Sequence, residues 1–325
     1  MSKPFLYRID SVSVWDLNGS DAAAILHNLT TNEIKDLSGN EGRESFVTDV
    51  RGKTLGHGFV FRTENGFRMI GASGQSEGLT AHADRYTIRE DATPSGRDAD
   101  YVAFAVSAEH FANLVAAIGT KLPEDTADDS QGRKISCDLG GDWGVAYQVE
   151  WIGKDAWVVL VPKSNAADFE KQLAQHDFDV HDEALFHDQR IAVGFPWYGI
   201  DITEKNLPQE ADRNAQTISF TKGCYLGQET VARLDALGQV QKQLVQWSVK
   251  ECVPPVGTEL VADGKTVGKL LSVAKLPNGG AIAIGMARRS HFDPGATAKG
   301  VFSAADGATD VEFSAIVQEH FQGPA

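Results

Sequence analysis

Cysteine is scarce in this chain of 325 residues, with three in all: Cys137, Cys224 and Cys252. They are widely spaced and odd in number, which argues against a disulfide framework and against an iron–sulfur motif held within the chain. A reducing, cytoplasmic setting fits that usage. Long apolar runs are missing too, none approaching the roughly 20 residues that cross a bilayer. The opening Met1-Ser2-Lys3-Pro4-Phe5 lacks the basic-then-apolar order of a secretory signal. Positive charge is in deficit, 30 lysines and arginines against 45 acids, for a formal net charge of −15. Such a surface repels phosphate backbones and works against direct DNA or RNA binding. Phosphate loops fail on spacing: Gly264-Lys265-Thr266 would need glycine where Glu259 stands, and Gly52-Lys53-Thr54 where Val47 stands. No G-x-G-x-x-G opens a helix, so nothing supports a dinucleotide site.

The most informative stretch that is present is Lys222-Gly223-Cys224-Tyr225-Leu226-Gly227-Gln228-Glu229, running on to Arg233. Glycines at 223 and 227 free the backbone for positive φ or close approach. Good helix formers follow from Gln228 to Leu237, and Gly238 is a natural stop. Cys224 then sits just before a helix N-terminus, where the helix dipole and Lys222 both favour a thiolate. The plainer reading makes Cys224 a small apolar filler in a tight turn. Glu229 and Arg233 have the spacing of an i,i+4 ion pair, and Lys222, Arg233 and Lys242 are near enough in sequence to form a local basic pocket.

Those residues resemble the signature of the YgfZ/GcvT family of folate-binding proteins. Further blocks carry the same resemblance. They are Gly19-Ser20-Asp21-Ala22-Ala23 with His27-Asn28-Leu29-Thr30-Thr31-Asn32, Arg190 to Pro196, Leu207-Pro208-Gln209-Glu210-Ala211, and Ala281 to Ala287. The resemblance implies an α+β fold like that of the aminomethyltransferase of glycine cleavage: duplicated ferredoxin-like units followed by a small C-terminal β-barrel. It also implies a tetrahydrofolate pocket in a central opening, with Glu210 and Tyr198 holding the pterin, Cys224 facing that hollow, and Gln228, Arg233 and Lys242 beside it. Lys222 would lower the pKa of Cys224. The implied role is assembly or repair of iron–sulfur proteins, met as transient clients, with an indirect effect on tRNA modification. A folate-dependent one-carbon transferase and a non-catalytic adaptor with a vestigial pocket are the alternatives.

One departure counts against the transferase. Where that enzyme carries two adjacent aspartates, this chain has Gly56 and His57. Without the family, Glu210 reads as an exposed loop glutamate, and Trp197 and Tyr198 as core packing. The run from His176 to Asp188 fits no zinc or hard-ion spacing and reads as a solvated acidic face, so no resident metal is expected.

Along the chain, Val12–Val14 leads to Ser20 as an N-cap and a helix with Ile25, Leu26 and Leu29 inward. Asn65-Gly66 signals a hairpin. His110 to Ile118, Asp168 to Gln175 and Glu183 to Ile191 read as helices, and Pro123 to Arg133 as a polar surface loop. The α/β alternation appears twice. After Gln243 short β runs separated by Gly257, Asp263-Gly264, Asn278-Gly279-Gly280 and Pro294-Gly295 indicate a small β domain. The expected division is 1–244 for two interleaved α+β subdomains and 245–325 for the barrel.

Overall fold

The computed structural model describes residues 3–121, 132–140, 142–238, 240–303 and 309–319. The loop expected over Pro123 to Arg133 lies almost wholly outside them. After β1 (Phe5–Ile9), the chain runs twice through one pattern of strand, helix, three strands, helix, strand. The first pass is β2 (Val12–Asn18), α1 (Ala22–Leu29), β3 (Glu41–Thr48), β4 (Thr54–Thr63), β5 (Gly66–Ala72), α2 (Ser76–Ala83) and β6 (Thr93–Gly96). The second is β7 (Tyr101–Val106), α3 (Ala108–Ala117), β8 (Lys134–Asp138), β9 (Val145–Val149), β10 (Ala156–Pro162), α4 (Ala166–Gln175) and β11 (Asp179–His181).

All eleven strands form one sheet in the order β11-β1-β7-β10-β9-β8-β3-β4-β5-β2-β6. Within it each pass has the same strand order, β3-β4-β5-β2-β6 and β8-β9-β10-β7-β11, except that β1 is inserted between β7 and β11. With β3 and β8 set aside as extra strands, both are ferredoxin-like. The passes join where Glu41 pairs with Ile135 and Gly42 with Lys134. Because β1 comes from the chain start yet completes the second pass, the two units interleave.

Period-two alternation explains why both faces of the sheet are buried. Val158 and Leu160 of β10 join Phe59, Phe61 and Val14 in a core between the passes, while Trp157, Val159 and Val161 face α3 and α4. Each such large side chain contributes roughly 1.5–3 kcal/mol by leaving water. The hairpin expected at Asn65-Gly66 joins β4 to β5, turning through Glu64 and Asn65 with Gly66 already paired to Thr63. In α1 the residues Ile25, Leu26 and Leu29 are buried, but the N-cap is Asp21. Ser20 instead donates its hydroxyl to Asp91 Oδ2 at 2.8 Å.

A connecting region follows, with α5 (Glu183–Ala192), α6 (Asn214–Thr217) and α7 (Gln228–Leu237). The remaining strands are β12 (Lys242–Val249), β13 (Glu259–Ala262), β14 (Lys265–Lys275), β15 (Ala281–Arg288), β16 (Thr297–Ser303) and β17 (Asp310–Val317). They close a barrel around Trp247 in the order β12-β15-β14-β13-β16-β17. Its first strand starts at Lys242, ahead of the boundary expected at 245. No helix of the described residues is long and apolar enough to cross a membrane.

Candidate functional site

The signature loop is fastened on three sides. Leu226 donates its N–H to the Asn28 carbonyl at 2.9 Å. Its own carbonyl accepts from Thr48 Oγ1 at 2.7 Å. Gly227, with φ +79, is the N-cap of α7. Tyr225 and Val231 are buried, whereas Cys224 is exposed. Gly238 ends α7 in the left-handed conformation, as its position predicts. Gly223 has no positive φ, so of the two glycines only Gly227 uses that freedom.

Lys222, expected to lower the Cys224 pKa, is buried. Its ammonium turns inward and donates to the carbonyls of His27 (2.7 Å), Thr30 (2.6 Å) and Asn32 (2.8 Å). Those are orphan acceptors at and just past the C-terminus of α1, where a cation is favoured. Burial pushes the lysine pKa down to about 7, a push that Glu33 opposes and Lys35 adds to. The sequence places Lys222 two residues from Cys224 but cannot say which way it turns.

Glu210 is buried, not an exposed loop acid. It sits in the 3-10 turn Pro208–Ala211, where its Oε2 accepts from Asn206 Nδ2 at 2.7 Å and lies 3.2 Å from Lys242 Nζ. Tyr198 is half-buried, with its hydroxyl 3.4 Å from the Thr54 carbonyl, and burial pushes its pKa up to about 12. Gln209 fastens this turn to α7 by donating to the Val231 carbonyl at 2.7 Å. Thus Glu210 of the connecting region meets Lys242 at the start of barrel strand β12. Gln228 is half-buried at the start of α7 and Arg233 is exposed on it. Glu229 and Arg233 form no ion pair among the described residues. Lys222 is taken up by carbonyls around the end of α1, and Lys242 lies against Glu210.

The middle of the molecule joins His57, which the sequence did single out, to Glu44, Arg213 and Glu150, which it did not. His57 lies between the rings of Phe46 (4.5 Å) and Phe195 (5.7 Å), and its Nε2 donates to Glu44 Oε1 at 2.7 Å. Arg213 grips the same carboxylate through Nε at 2.6 Å and Nη2 at 2.5 Å. It then reaches Glu150 Oε2 at 2.7 Å, and Lys134 meets Glu150 Oε1 at 2.8 Å. Burial alone would raise the Glu44 pKa, but Arg213 and His57 outweigh it and hold the carboxyl at about 2. His57 therefore occupies the place of an acid as a stacked, hydrogen-bonded core residue. The one signal in the sequence was a charged pair, Arg43-Glu44, in the interior of a strand.

Room in this region is limited. A cavity of about 70 Å³ lies between the connecting region and the barrel, lined by Gly194, Arg213, Gln246 and Ile284 among others. The cleft beside His57, Trp197 and Tyr198 has none to spare for a water-sized sphere. Small-molecule sites usually offer about 300–1,000 Å³.

No protein-family model matches the chain. Over 112 residues it is 36% identical to the tRNA-modifying protein YgfZ of Hamiltonella defensa subsp. Acyrthosiphon pisum (strain 5AT), an alignment covering 31% of this chain and only 33% of that protein. The YgfZ protein of Cronobacter sakazakii (strain ATCC BAA-894) is 24% identical over 74% of this chain and 69% of its own length. The glycine cleavage system aminomethyltransferase T of Bartonella henselae superposes with a TM-score of 0.84, covering 98% of this chain and 86% of that one at 16% identity. The chain has the aminomethyltransferase fold. The YgfZ/GcvT-like resemblance and the α+β architecture with a closed barrel stand on these matches. At such identity the superposition speaks for the backbone, and the aminomethyltransferase fold says nothing of which reaction, if any, this chain performs.

Proposed function

We propose that this chain works as a YgfZ-like protein in the cytoplasm, binding a tetrahydrofolate and supporting iron–sulfur client proteins, among them enzymes that modify tRNA. The observation that carries the reading is the exposed Cys224, held by Gly227 and the Leu226 hydrogen bonds just ahead of α7. A thiol so placed is offered to a partner protein and not sealed in the core. Two YgfZ-named relatives support the assignment, and His57, paired with Glu44 where the transferase has acids, argues against aminomethyl transfer.

The residues fit a pterin in donor chemistry. Glu210 is a buried carboxylate of the kind that accepts from an aminopyrimidine edge, and Thr54 Oγ1 and Gln209 Oε1 are buried nearby without hydrogen-bond partners. Glu210 and Lys242 would hold the ring, with Tyr198 against it. When bound, a tetrahydrofolate supplies a carrier for one-carbon units. Since the space is small, Arg213 or the edge of the barrel has to shift for it to enter.

Two measurements test the reading. Calorimetric titration of tetrahydrofolate should show micromolar binding that Glu210→Ala weakens at least tenfold; no binding by the wild type leaves the adaptor alternative. In cells lacking their own copy, wild type should restore an iron–sulfur-dependent tRNA-modifying activity and Cys224→Ala should not. Full restoration by Cys224→Ala at equal protein level would sink the role given to the thiol.

A further inference from the structure

The two carboxylate oxygens of Glu210 are in unlike surroundings. Asn206 Nδ2 donates to Oε2 at 2.7 Å, and Lys242 Nζ lies 3.2 Å from the same atom. Oε1 makes no hydrogen bond among the described residues, yet it is not one of the fully enclosed polar atoms that lack a partner. One oxygen is taken and the other stands open. Which end of the Asn206 amide meets Glu210 is fixed by its other contact. Asn206 Oδ1 accepts from the Thr203 N–H at 3.0 Å and from Thr203 Oγ1 at 3.3 Å. A backbone N–H can only donate, so the atom it meets is the amide oxygen, and the NH2 faces Glu210. The backbone of Asn206 is tied as well. Its N–H donates to the Thr203 carbonyl at 2.9 Å, and its carbonyl accepts from Thr54 N–H at 3.0 Å. The residue is 6% exposed. An amide nitrogen and an ammonium are both donors, so Oε2 is an acceptor that carries no proton of its own.

We propose that Asn206 is the positioning residue of the pterin site: by donating to Oε2 it fixes the Glu210 carboxylate and leaves Oε1 as the acceptor for a ring N–H. The inference rests on the reading of Glu210 as the carboxylate that takes the pterin. Asn206 itself touches no ligand; it acts through Glu210. Its donor character is separable from its shape. Asn206→Asp keeps the size and keeps an oxygen for Thr203, but turns the donor that faces Glu210 into an acceptor. Two carboxylates at 2.7 Å cannot both stay ionised, so the pair has to share a proton. With that proton between them, Oε1 is still an acceptor and the ring can bind. Once the proton leaves, the two acids repel and Glu210 is pushed out of place. Lys242 of β12 is the charged group that meets Glu210 among the described residues, and every variant below keeps it.

The test is anaerobic calorimetric titration of tetrahydrofolate into the full chain from about pH 6 to about pH 8, for wild type, Asn206→Asp and Asn206→Ala. The wild-type Kd should change by less than about twofold over that range. Asn206→Asp should bind at least roughly tenfold more weakly near pH 8 and regain most of the loss near pH 6. Asn206→Ala, which removes the donor and adds no charge, should bind severalfold more weakly at every pH. Wild-type affinity for Asn206→Asp throughout overturns the proposal. Equal, pH-independent losses in both variants overturn it too, because a residue that only braces the turn would give them. Should Asn206→Asp fail to fold, Asn206→Ala decides: wild-type affinity overturns the proposal, and a severalfold loss at an unchanged melting temperature upholds it. If the wild type binds no tetrahydrofolate, the proposed function falls, and the melting temperature of Asn206→Asp still reads the pair. It should rise relative to wild type from about pH 8 to about pH 6, since a shared proton is bound more tightly in the folded state. Parallel melting curves for the two proteins would show that Asn206 does not serve Glu210 as a donor.

Discussion

A side chain on Gly227 would begin 2.4 Å from the backbone of Gly52. No real Cβ comes so near, so the two glycines are a contact between backbones, and it fixes the start of α7 against the β3–β4 turn. Gly52 is itself at φ +78. The loop bearing Cys224 is thereby located by the first ferredoxin-like unit. Gly227→Ala combines a left-handed residue with backbone overlap and should destabilise by roughly 2–4 kcal/mol. Urea unfolding measures it. A cost under about 0.5 kcal/mol would mean the turn moves freely and does not position the cysteine.

Lys222 offers a second test, because its role is anchoring. Lys222→Met removes three hydrogen bonds to buried carbonyls and should cost about 2–3 kcal/mol, since charge-assisted bonds and unsatisfied acceptors are each worth that order. The loss should show as faster hydrogen exchange at the end of α1 and in residues 219–226. A variant with wild-type stability but no client support would instead assign the lysine to chemistry.

The Glu44–Arg213 pair makes a pH prediction whose sign follows from its pKa. The folded value, about 2, is below the ordinary carboxylate value of 4.5. The group therefore stabilises the fold fully above about pH 4.5, and that contribution drains away as the pH falls toward 2. The amount is on the order of 3 kcal/mol. Urea midpoints for the wild type should drop between pH 5 and about pH 2.5 by more than those of Glu44→Gln. Parallel curves for the two proteins would show that the carboxylate is not held down by its partners.

How far the sequence was legible depends on the range over which each contact acts. The β4–β5 hairpin, α7 with its Gly238 stop, and the twofold α/β pattern come from residues within one turn or one strand of each other, and they were read correctly. The cap of α1 was placed one residue early, because Ser20 and Asp21 are both good caps and only the distant Asp91 decides between them. Glu44 and Arg213 are 169 positions apart, so their meeting is a matter of topology that no local pattern encodes. Lys222 was placed beside Cys224 correctly, but its direction depends on carbonyls nearly two hundred residues upstream. Buried Glu210 was found through family resemblance alone, since a glutamate after Leu207-Pro208-Gln209 looks like any loop acid.

The last prediction concerns how the barrel is held against the rest. Arg190 of α5 is almost fully buried and donates through Nη1 to Asp201 Oδ2 at 2.7 Å and through Nη2 to Ser272 Oγ of β14 at 2.9 Å. Ser272 in turn donates to Asp201 Oδ1 at 2.6 Å, which closes a ring of bonds across the boundary between connecting region and barrel. The Nε atom donates to His187 Nδ1 at 2.7 Å, which requires that imidazole to be neutral; burial and the nearby guanidinium lower its pKa to about 4. Removing one partner of a buried ion pair strands the other, at a cost of about 3–5 kcal/mol. Arg190→Ala should therefore lower stability by that order, with Asp201 left charged and unpaired, whereas the double change Arg190→Met with Asp201→Asn should recover most of the loss. The recovery follows because the penalty lies in the stranded charge and not in the missing attraction. If the double variant is as unstable as Arg190→Ala, geometry and not charge holds the barrel in place.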